Sequence, residues 1–591
     1  MSEKLELLIN NMRKNKYDVL LVPREDMFSG EEVPKSEERL KYITNFSGSA
    51  GFAIISSNPH LKSAIFSDGR YQLQLRKQVD TKFFDIFNGG ISEIGDYLKK
   101  NKKHLKVIAF DPWLLSVKKI EILSKILENT QLIFKCTDYN LIDEVWKARP
   151  VENQKAIFQL PLNKTGEKSL TKINRLKKII INNDCDYYIL FNPAGLSWLL
   201  NIRGRDLQYT PISRSFCIVS SKGEVFIFSD NSTFKIISKK NNQIYLFSIS
   251  ELSLFLKKSK NKKILVDPIF LPFKIKNLLL NDSSNIFTIN CPVEKFKCVK
   301  NLTEIIGFQE AHLKDGLVFL KLFFWIEKKM ILKELTELKI AQKLHELRSL
   351  EKTFICESFA TISAFSDNGA IIHYKANQFT DKKLDTDGLY LIDSGAHYLE
   401  GTTDTTRTIK IGKVTQEMIN NYTLVLKGHI AIATSIFPKN TKGRELDTLA
   451  RKALWSEGKD YNHGTGHGVG ILLNVHEGPI SISKNSEYHI SKGMVISNEP
   501  GYYKDGEYGI RIENLEVVSK KYFKNNEYFL YFENLTKVPL ELDLINKDML
   551  TTEEIKWINA YHEKVCLELS KLINFNDKEL LGYLRLKTSS I

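Results

Sequence analysis

Apolar residues recur every third or fourth position near the start of the chain, at Leu5, Leu8, Ile9 and Met12, which predicts an amphipathic helix over residues 3–15. It runs into an apolar strand at 17–23, a loop at 43–48 and a second apolar run at 51–55. The same succession then returns. A helical pattern over 170–181 leads to an apolar strand at 186–193, a loop at 198–204 and an apolar run at 216–219. Helix, strand, loop and further strands, written twice, predict two related α/β units, each a mixed sheet flanked by helices.

From about residue 300 the periodicity becomes helical. Ile305, Ile306, Phe308, Leu313, Leu317, Leu320, Phe323 and Ile326 mark a helical stretch over 302–350. Strands are predicted at 388–394 and 402–411, a pair of amphipathic helices at 423–437 and 444–458, strands at 494–497 and 510–518, and helix again after Thr551.

With 591 residues, 42% hydrophobic and 26% charged, the composition excludes disordered and collagen-like classes. The length calls for several domains, and the change of texture sets expected boundaries of 1–150, 151–298 and 299–591. No run of about 18 apolar residues exists, and the most hydrophobic helical stretch, 317–326, is broken by Lys321. The N-terminal segment lacks the apolar core and cleavage site of an export signal, and seven scattered cysteines show no metal-finger spacing. A cytoplasmic setting is therefore expected. The net charge of +15 first suggests nucleic acid or an anionic membrane. Its distribution argues against both. Basic residues exceed acidic ones by 4 in residues 1–150 and by 13 in 151–300, but trail by 2 in 301–591. The excess is dispersed lysine, as in 257–263, and reads as a solvated face with no nucleic-acid motif.

Five residues with metal-binding side chains stand in strand or glycine-rich contexts after residue 390: Asp393, Asp404, His467, Glu499 and Glu513. Singly, each has an ordinary explanation as a cap, a loop histidine or a surface carboxylate. Together they say more. Asp393 ends an apolar strand, where a charge must be exposed or bound to something positive. Asp404 lies eleven positions later in a threonine-rich strand, so a hairpin would bring the two carboxylates together, and such like charges need cations to neutralise them. Four carboxylates and an imidazole form a hard, oxygen-rich set suited to manganese, cobalt or zinc, with enough carboxylates to bridge two ions. Two such ions can hold a hydroxide and polarise a carbonyl, so the implied reaction is hydrolysis. Arg511 precedes Glu513 by two positions, which on a strand places both on one face, to hold a ligand carboxylate or to contact substrate.

These residues lie in LIDSGAHYLEGTTDTTRT (391–408), YNHGTGHGVGILLNVHEGP (461–479) and NEPGYYKDGEYGIRIEN (498–514), which stand between AIIHYKA (370–376) and FENLTKVPLELDLI (532–545). On these segments, with FSGSAGFAII (46–55) and SDGRYQLQ (67–74), the chain resembles the aminopeptidase P (Xaa-Pro aminopeptidase) family of the three-domain cytosolic type, within peptidase family M24. The resemblance implies an α/β (α+β) architecture, with two creatinase-type N-terminal domains preceding a pita-bread catalytic domain that ends in a helical extension. It implies removal of an N-terminal residue that precedes proline, by a hydroxide bridging two metal ions, most simply manganese, with zinc or cobalt as alternatives. Asp393 would bind one ion, Asp404 and Glu513 would bridge both, and His467 and Glu499 would complete one shell each. Glu499 also matches the family's proton acceptor, His373 a stabiliser of the transition state, His476 a second active-site histidine, and His463 a residue shaping the proline pocket. Arg70 matches an arginine of the first domain that reaches substrate, and Tyr503 is a candidate lining residue. A homodimer formed through the C-terminal domain is also implied.

His312, His345, His397, His429, His489 and His562 match no catalytic position and are expected to be structural, as are Trp455 and Trp557. Two rivals remain: a prolidase, cutting only dipeptides, and a non-catalytic pita-bread module that binds peptide or protein. The first would share all five donors. The second predicts missing donors, and none is missing.

Overall fold

The computed structural model describes residues 3–152, 155–238, 242–281, 284–330, 334–523 and 527–591. They form two compact units, Met1–Leu160 with Glu167–Val293, and Pro161–Gly166 with Glu294–Ile591.

The first unit opens with the helix Glu3–Lys14, which buries Leu5, Leu8, Ile9 and Met12, the periodic set. The strands of its two large sheets are β1 (Val19–Pro23), β2 (Phe52–Ser56), β3 (Ser63–Ser67), β4 (Phe84–Asn88), β5 (Val107–Phe110) and β6 (Ile133–Cys136), followed by β7 (Tyr187–Leu190), β8 (Phe216–Ser220), β9 (Val225–Phe228), β10 (Ile244–Phe247), β11 (Lys263–Val266) and β12 (Asn285–Thr288). They make two six-stranded mixed sheets, ordered β4-β3-β2-β1-β5-β6 and β10-β9-β8-β7-β11-β12. The pairings match strand for strand. β1 lies antiparallel to β2 and parallel to β5, as β7 does to β8 and β11. The repeated sequence pattern therefore reports a repeated topology.

The corner after the third strand of each sheet also repeats. After β3 a short 3₁₀ turn, Gly69–Tyr71, is capped by Asp68, whose side chain accepts from the Arg70 amide. After β9 the turn Ser232–Phe234 is capped by Asn231, which accepts from the Thr233 amide. One expectation fails nearby. Residues 198–204 are not simply a loop, because Pro193–Leu200 is a helix capped by Asn192 with proline in its first turn. All eight of its residues are buried, so it carries no amphipathic stripe to betray it.

In the second unit the helical stretch is divided into Leu302–Met330 and Glu337–Ser349, and residues 331–333 of the predicted span lie outside the described residues. A three-stranded antiparallel sheet follows, with Gly388–Ser394 between Ile362–Phe365 and Thr405–Ile411. A four-stranded antiparallel sheet runs Ile436–Pro438, Tyr528–Asn534, Asn514–Tyr522, Val495–Asn498. The helices Gln416–Ala433, Gly443–Trp455, Thr552–Ser570 and Lys578–Lys587 complete the unit.

The strand expected at 510–518 is broken. Tyr508–Arg511 pairs with Gly501–Lys504, whereas Asn514–Tyr522 belongs to the four-stranded sheet. Glu513 falls in the gap, where the chain passes from one sheet to the other. Among the described residues no helix is long and apolar enough to cross a membrane.

Candidate metal centre

Three crossings of antiparallel strands assemble the site. Asp393 ends the strand Gly388–Ser394 opposite Thr406, and Asp404 stands just before the neighbouring strand Thr405–Ile411. The two aspartates are thus brought together by pairing of those strands, although the short strand Ala396–Tyr398 intervenes between them in sequence. His467 closes the two-residue strand Gly466–His467, whose partner is Ser481–Ile482. Glu499 follows Val495–Asn498 directly, and Asn498 lies opposite Asn514, the residue after Glu513.

These backbone positions converge the side chains. Ligand atoms of Asp404, His467 and Glu513 all lie within 4.8 Å of one another. His467 Nε2 is 3.5 Å from Asp404 Oδ2 and 3.5 Å from Glu499 Oε1. Asp393 joins through Arg511, whose Nη2 donates to Oδ2 at 2.6 Å. Arg511 Nε also donates to Thr406 Oγ1 at 3.1 Å, and Thr406 in turn donates to Glu513 Oε2 at 2.7 Å.

Electrostatics make this a site that wants cations. Burial pushes Asp393 up to about 6, reinforced by Asp404 and opposed by Arg511. Burial, then Asp404, Glu499 and Asp393, raise Glu513 well above the usual carboxylate range. Burial disfavours a charge on His467, but Asp404 and Glu499 outweigh it and lift the imidazole to about 9. Packing several buried carboxylates around one point is costly unless a positive charge sits among them. Asp393 Oδ1 is itself buried with no hydrogen-bond partner among the described residues. An orphaned carboxylate oxygen beside three more carboxylates and an imidazole fits hard divalent ions.

The other candidates fall into two groups. His476 packs edge-on against His467, with ring centroids 4.4 Å apart at 82°. His463 Nε2 is 2.9 Å from the Tyr503 hydroxyl, and Tyr503 receives a 2.6 Å bond from Arg511 Nη1. Burial lifts the Tyr503 phenol to about 12. His373 follows Ile372, whose carbonyl lies 3.5 Å from Arg511 Nη1. Arg70 lies in the other compact unit, where Asp68 holds its guanidinium through two bonds of 2.8 Å.

Of the histidines expected to be structural, His312, His397, His429 and His562 are buried in the second unit. Burial lowers His312 and His562 to about 4 and His429 to about 3, so they stay neutral. Trp557 stacks on Tyr561 at 5.4 Å, whereas Trp455 is 44% exposed at the end of its helix.

Several supporting residues escaped the sequence reading. Thr406 is one. Ser497 accepts from the His467 amide at 2.9 Å and donates to Glu499 Oε1 at 3.2 Å. Arg451 holds the loop before His467, donating to the carbonyls of Tyr461 and His463 at 2.8 and 2.7 Å. For Thr406 a signal existed, since it lies two positions after Asp404 and so on the same strand face.

Comparison with known proteins places this arrangement. A model of metallopeptidase family M24 matches residues 307–520, and one for the C-terminal region of peptidase M24 matches 528–591. Two models of the creatinase/prolidase N-terminal domain match 4–143 and 148–304, one for each copy of the repeated sheet. A probable Xaa-Pro aminopeptidase P of Paracoccidioides brasiliensis (strain Pb03) is 37% identical over 589 residues, covering 95% of each chain. Its counterpart in Ajellomyces dermatitidis is 36% identical and covers 100% of this chain and 99% of its own. Among solved structures, the X-prolyl aminopeptidase of Caenorhabditis elegans, a cytosolic enzyme with a di-nuclear active site, is similar with a TM-score of 0.93 at 31% identity, over 100% of this chain and 99% of its own. The Xaa-Pro dipeptidase of Bacillus anthracis shares the fold, with a TM-score of 0.52 over 64% of this chain.

Proposed function

The chain belongs to metallopeptidase family M24, and on that premise we infer that it is a metal-dependent Xaa-Pro aminopeptidase, hydrolysing the bond between a peptide's first residue and a proline at position two. What carries the reading is likeness along the entire length to aminopeptidases of this specificity, in a chain where Asp404, His467 and Glu513 crowd within 4.8 Å.

Asp393 would hold one ion, Asp404 and Glu513 both, and His467 and Glu499 one each. Two divalent ions bound there, manganese first with zinc or cobalt as alternatives, would supply Lewis acidity for the scissile carbonyl and a water ionised near neutral pH. Glu499 would take the proton released as water adds to the carbonyl carbon. His373 would donate to the oxyanion that develops on the carbonyl oxygen, and His476 would stand beside the reacting bond. The C–N bond would then break, and the proline nitrogen would leave with the proton that Glu499 had taken. Proline has no amide hydrogen and a fixed φ, so its bond needs a dedicated pocket, which His463 and Tyr503 would shape. Arg511 would fix Asp393, and Arg70 would contact substrate.

We also propose domain limits near residues 150 and 298, a homodimer formed through the C-terminal domain, and a cytoplasmic location. Seven cysteines without disulfides and the cytosolic relative support that location. The deciding experiment compares Xaa-Pro-Yaa, Xaa-Ala-Yaa and Xaa-Pro peptides, with chelated and manganese-restored protein. Release of the first residue from Xaa-Pro-Yaa alone, or in large excess over Xaa-Ala-Yaa, is expected. Cleavage of the dipeptide only would make the chain a prolidase, and no cleavage of any peptide would make it a binding module.

A further inference from the structure

Glu477, the residue after His476, is buried between two lysines. Its Oε1 accepts from Lys300 Nζ at 2.6 Å, and its Oε2 lies 2.9 Å from Lys297 Nζ. None of the three side chains is more than 3% exposed. Lys297 also meets Glu294 at 3.0 Å, so two ammonium and two carboxylate groups balance. The lysines belong to the segment that opens the second unit, 177 residues before Glu477 in the case of Lys300.

Burying ions costs several kcal/mol each, and apolar side chains fill such space at least as well. Stability alone is therefore a weak reason for this arrangement. Its position supplies a better one. The Glu477 amide donates to the Gly468 carbonyl at 2.8 Å, and the Gly468 amide donates to Ile480 at 3.0 Å, so the turn bearing His476 is laced to the residue after His467. In the same loop Leu472 is buried at φ +52°, and its amide donates to Thr402 Oγ1 at 2.9 Å. A branched apolar residue persists in that left-handed region only where its surroundings enforce it. The glycine at 470 is needed as well, since a Cβ there would lie 2.6 Å from Glu477 Oε2.

We propose that Lys297 and Lys300 are positioning residues for the reaction: gripping both oxygens of Glu477, they hold the imidazole of His476 against His467. This rests on the aminopeptidase reading, and the test separates the two. If the parent protein fails to cleave Xaa-Pro-Yaa, that reading fails; if the parent cleaves, the lysines are judged by a double-mutant cycle.

Lys300→Met should lower kcat about 10- to 100-fold, the usual range for groups supporting a ligand shell, with KM within about twofold and metal stoichiometry unchanged. Lys300→Arg, which keeps the charge, should recover part of the loss. Adding His476→Ala to Lys300→Met should cost far less than His476→Ala costs the parent, because the lysine acts through that histidine. A parent-like kcat for Lys300→Met, or losses that multiply in the double variant, would overturn the proposal. If Lys300→Met does not fold, Lys297→Met carries the same cycle from the other oxygen. Failure of both to fold would make the cluster a folding element and also overturn it.

Discussion

Arg511 Nη2 donates to Asp393 Oδ2 at 2.6 Å, while Oδ1 of the same carboxylate is buried with no hydrogen-bond partner among the described residues. The guanidinium is itself braced by Thr406 and Tyr503. One oxygen is thus pinned and the other left for a cation. Arg511→Met should weaken metal binding about 10- to 100-fold, as measured by calorimetric titration of chelator-stripped protein. Arg511→Lys should recover only part, since an ammonium lacks the planar fork. Parent-like affinity in Arg511→Met would refute this role.

Metal removal should destabilise the protein, since it leaves Asp393, Asp404, Glu499 and Glu513 facing one another with only Arg511 and His467 as counter-charge. Scanning calorimetry of chelated protein should show a lower melting temperature, restored by manganese. At free ion about 100 times the Kd, linkage predicts about 2.7 kcal/mol. Asp404→Asn and His467→Ala should abolish that response and lower turnover more than about a hundredfold. A melting temperature indifferent to chelation would count against a metal site.

Tyr503→Phe removes the hydroxyl shared by His463 and Arg511. Because burial lifts this phenol to about 12, it is a neutral hydrogen-bonding group at neutral pH. Losing about 1 kcal/mol of orientation should raise KM for Xaa-Pro-Yaa about fivefold, with kcat less affected. A change confined to kcat would place the tyrosine in chemistry and not in the pocket.

Gly466→Ala tests the packing beneath His467. A Cβ at 466 would lie 1.9 Å from the Ser497 carbonyl oxygen, backbone that cannot yield without moving Glu499. The substitution should cost about 1–3 kcal/mol in urea denaturation and reduce metal content. A fully stable, fully loaded variant would show the strands to be less closely packed.

Asp460 supplies an acid-sensitive brace behind the site. Burial opposes its charge, but Lys484 and Arg451, at 2.8 and 2.7 Å, hold it at about 2 against an ordinary 3.8. A folded value below the unfolded one means the stabilisation is complete above 3.8 and fades as pH falls through about 2. Asp460→Asn should therefore be less stable than the parent near neutrality, by about 1 kcal/mol or less given its exposure, and the two should converge near pH 2. A gap that stays constant down to that pH would exclude the mechanism.

Much of the site was legible because each donor carries a local signature. Asp393 closes an apolar strand and His467 sits among glycines, whereas the strand phase expected of Arg511 and Glu513 fails because the strand ends at Arg511. The repeated α/β pattern was legible for the same reason, since period and order are written along the chain. What escaped depends on distance in sequence. Thr406 meets Glu513 across 107 positions, so its spacing from Asp404 marks a face of the strand but not the partner it bonds. The helix Pro193–Leu200 escaped because it is buried on every side, and the gap at Glu513 because buried residues run through it unbroken. The lysine excess also resolves into local pairs in part, as where Lys262 and Lys263 meet Asp186 and Asp184.

The duplicated sheet gives the molecule an internal control. Wherever the two copies fold alike with different side chains, the difference is not demanded by the fold. At the corner after β3 the residue whose amide meets the capping side chain is Arg70, and at the matching corner after β9 it is Thr233. In both, the side chain also bonds the cap: Arg70 Nε donates to Asp68 Oδ1 at 2.8 Å, and Thr233 Oγ1 donates to Asn231 Oδ1 at 2.6 Å. A hydroxyl can therefore do at such a corner what the guanidinium does at position 70, and a swap of these two residues would separate what the turn needs from any further task of Arg70.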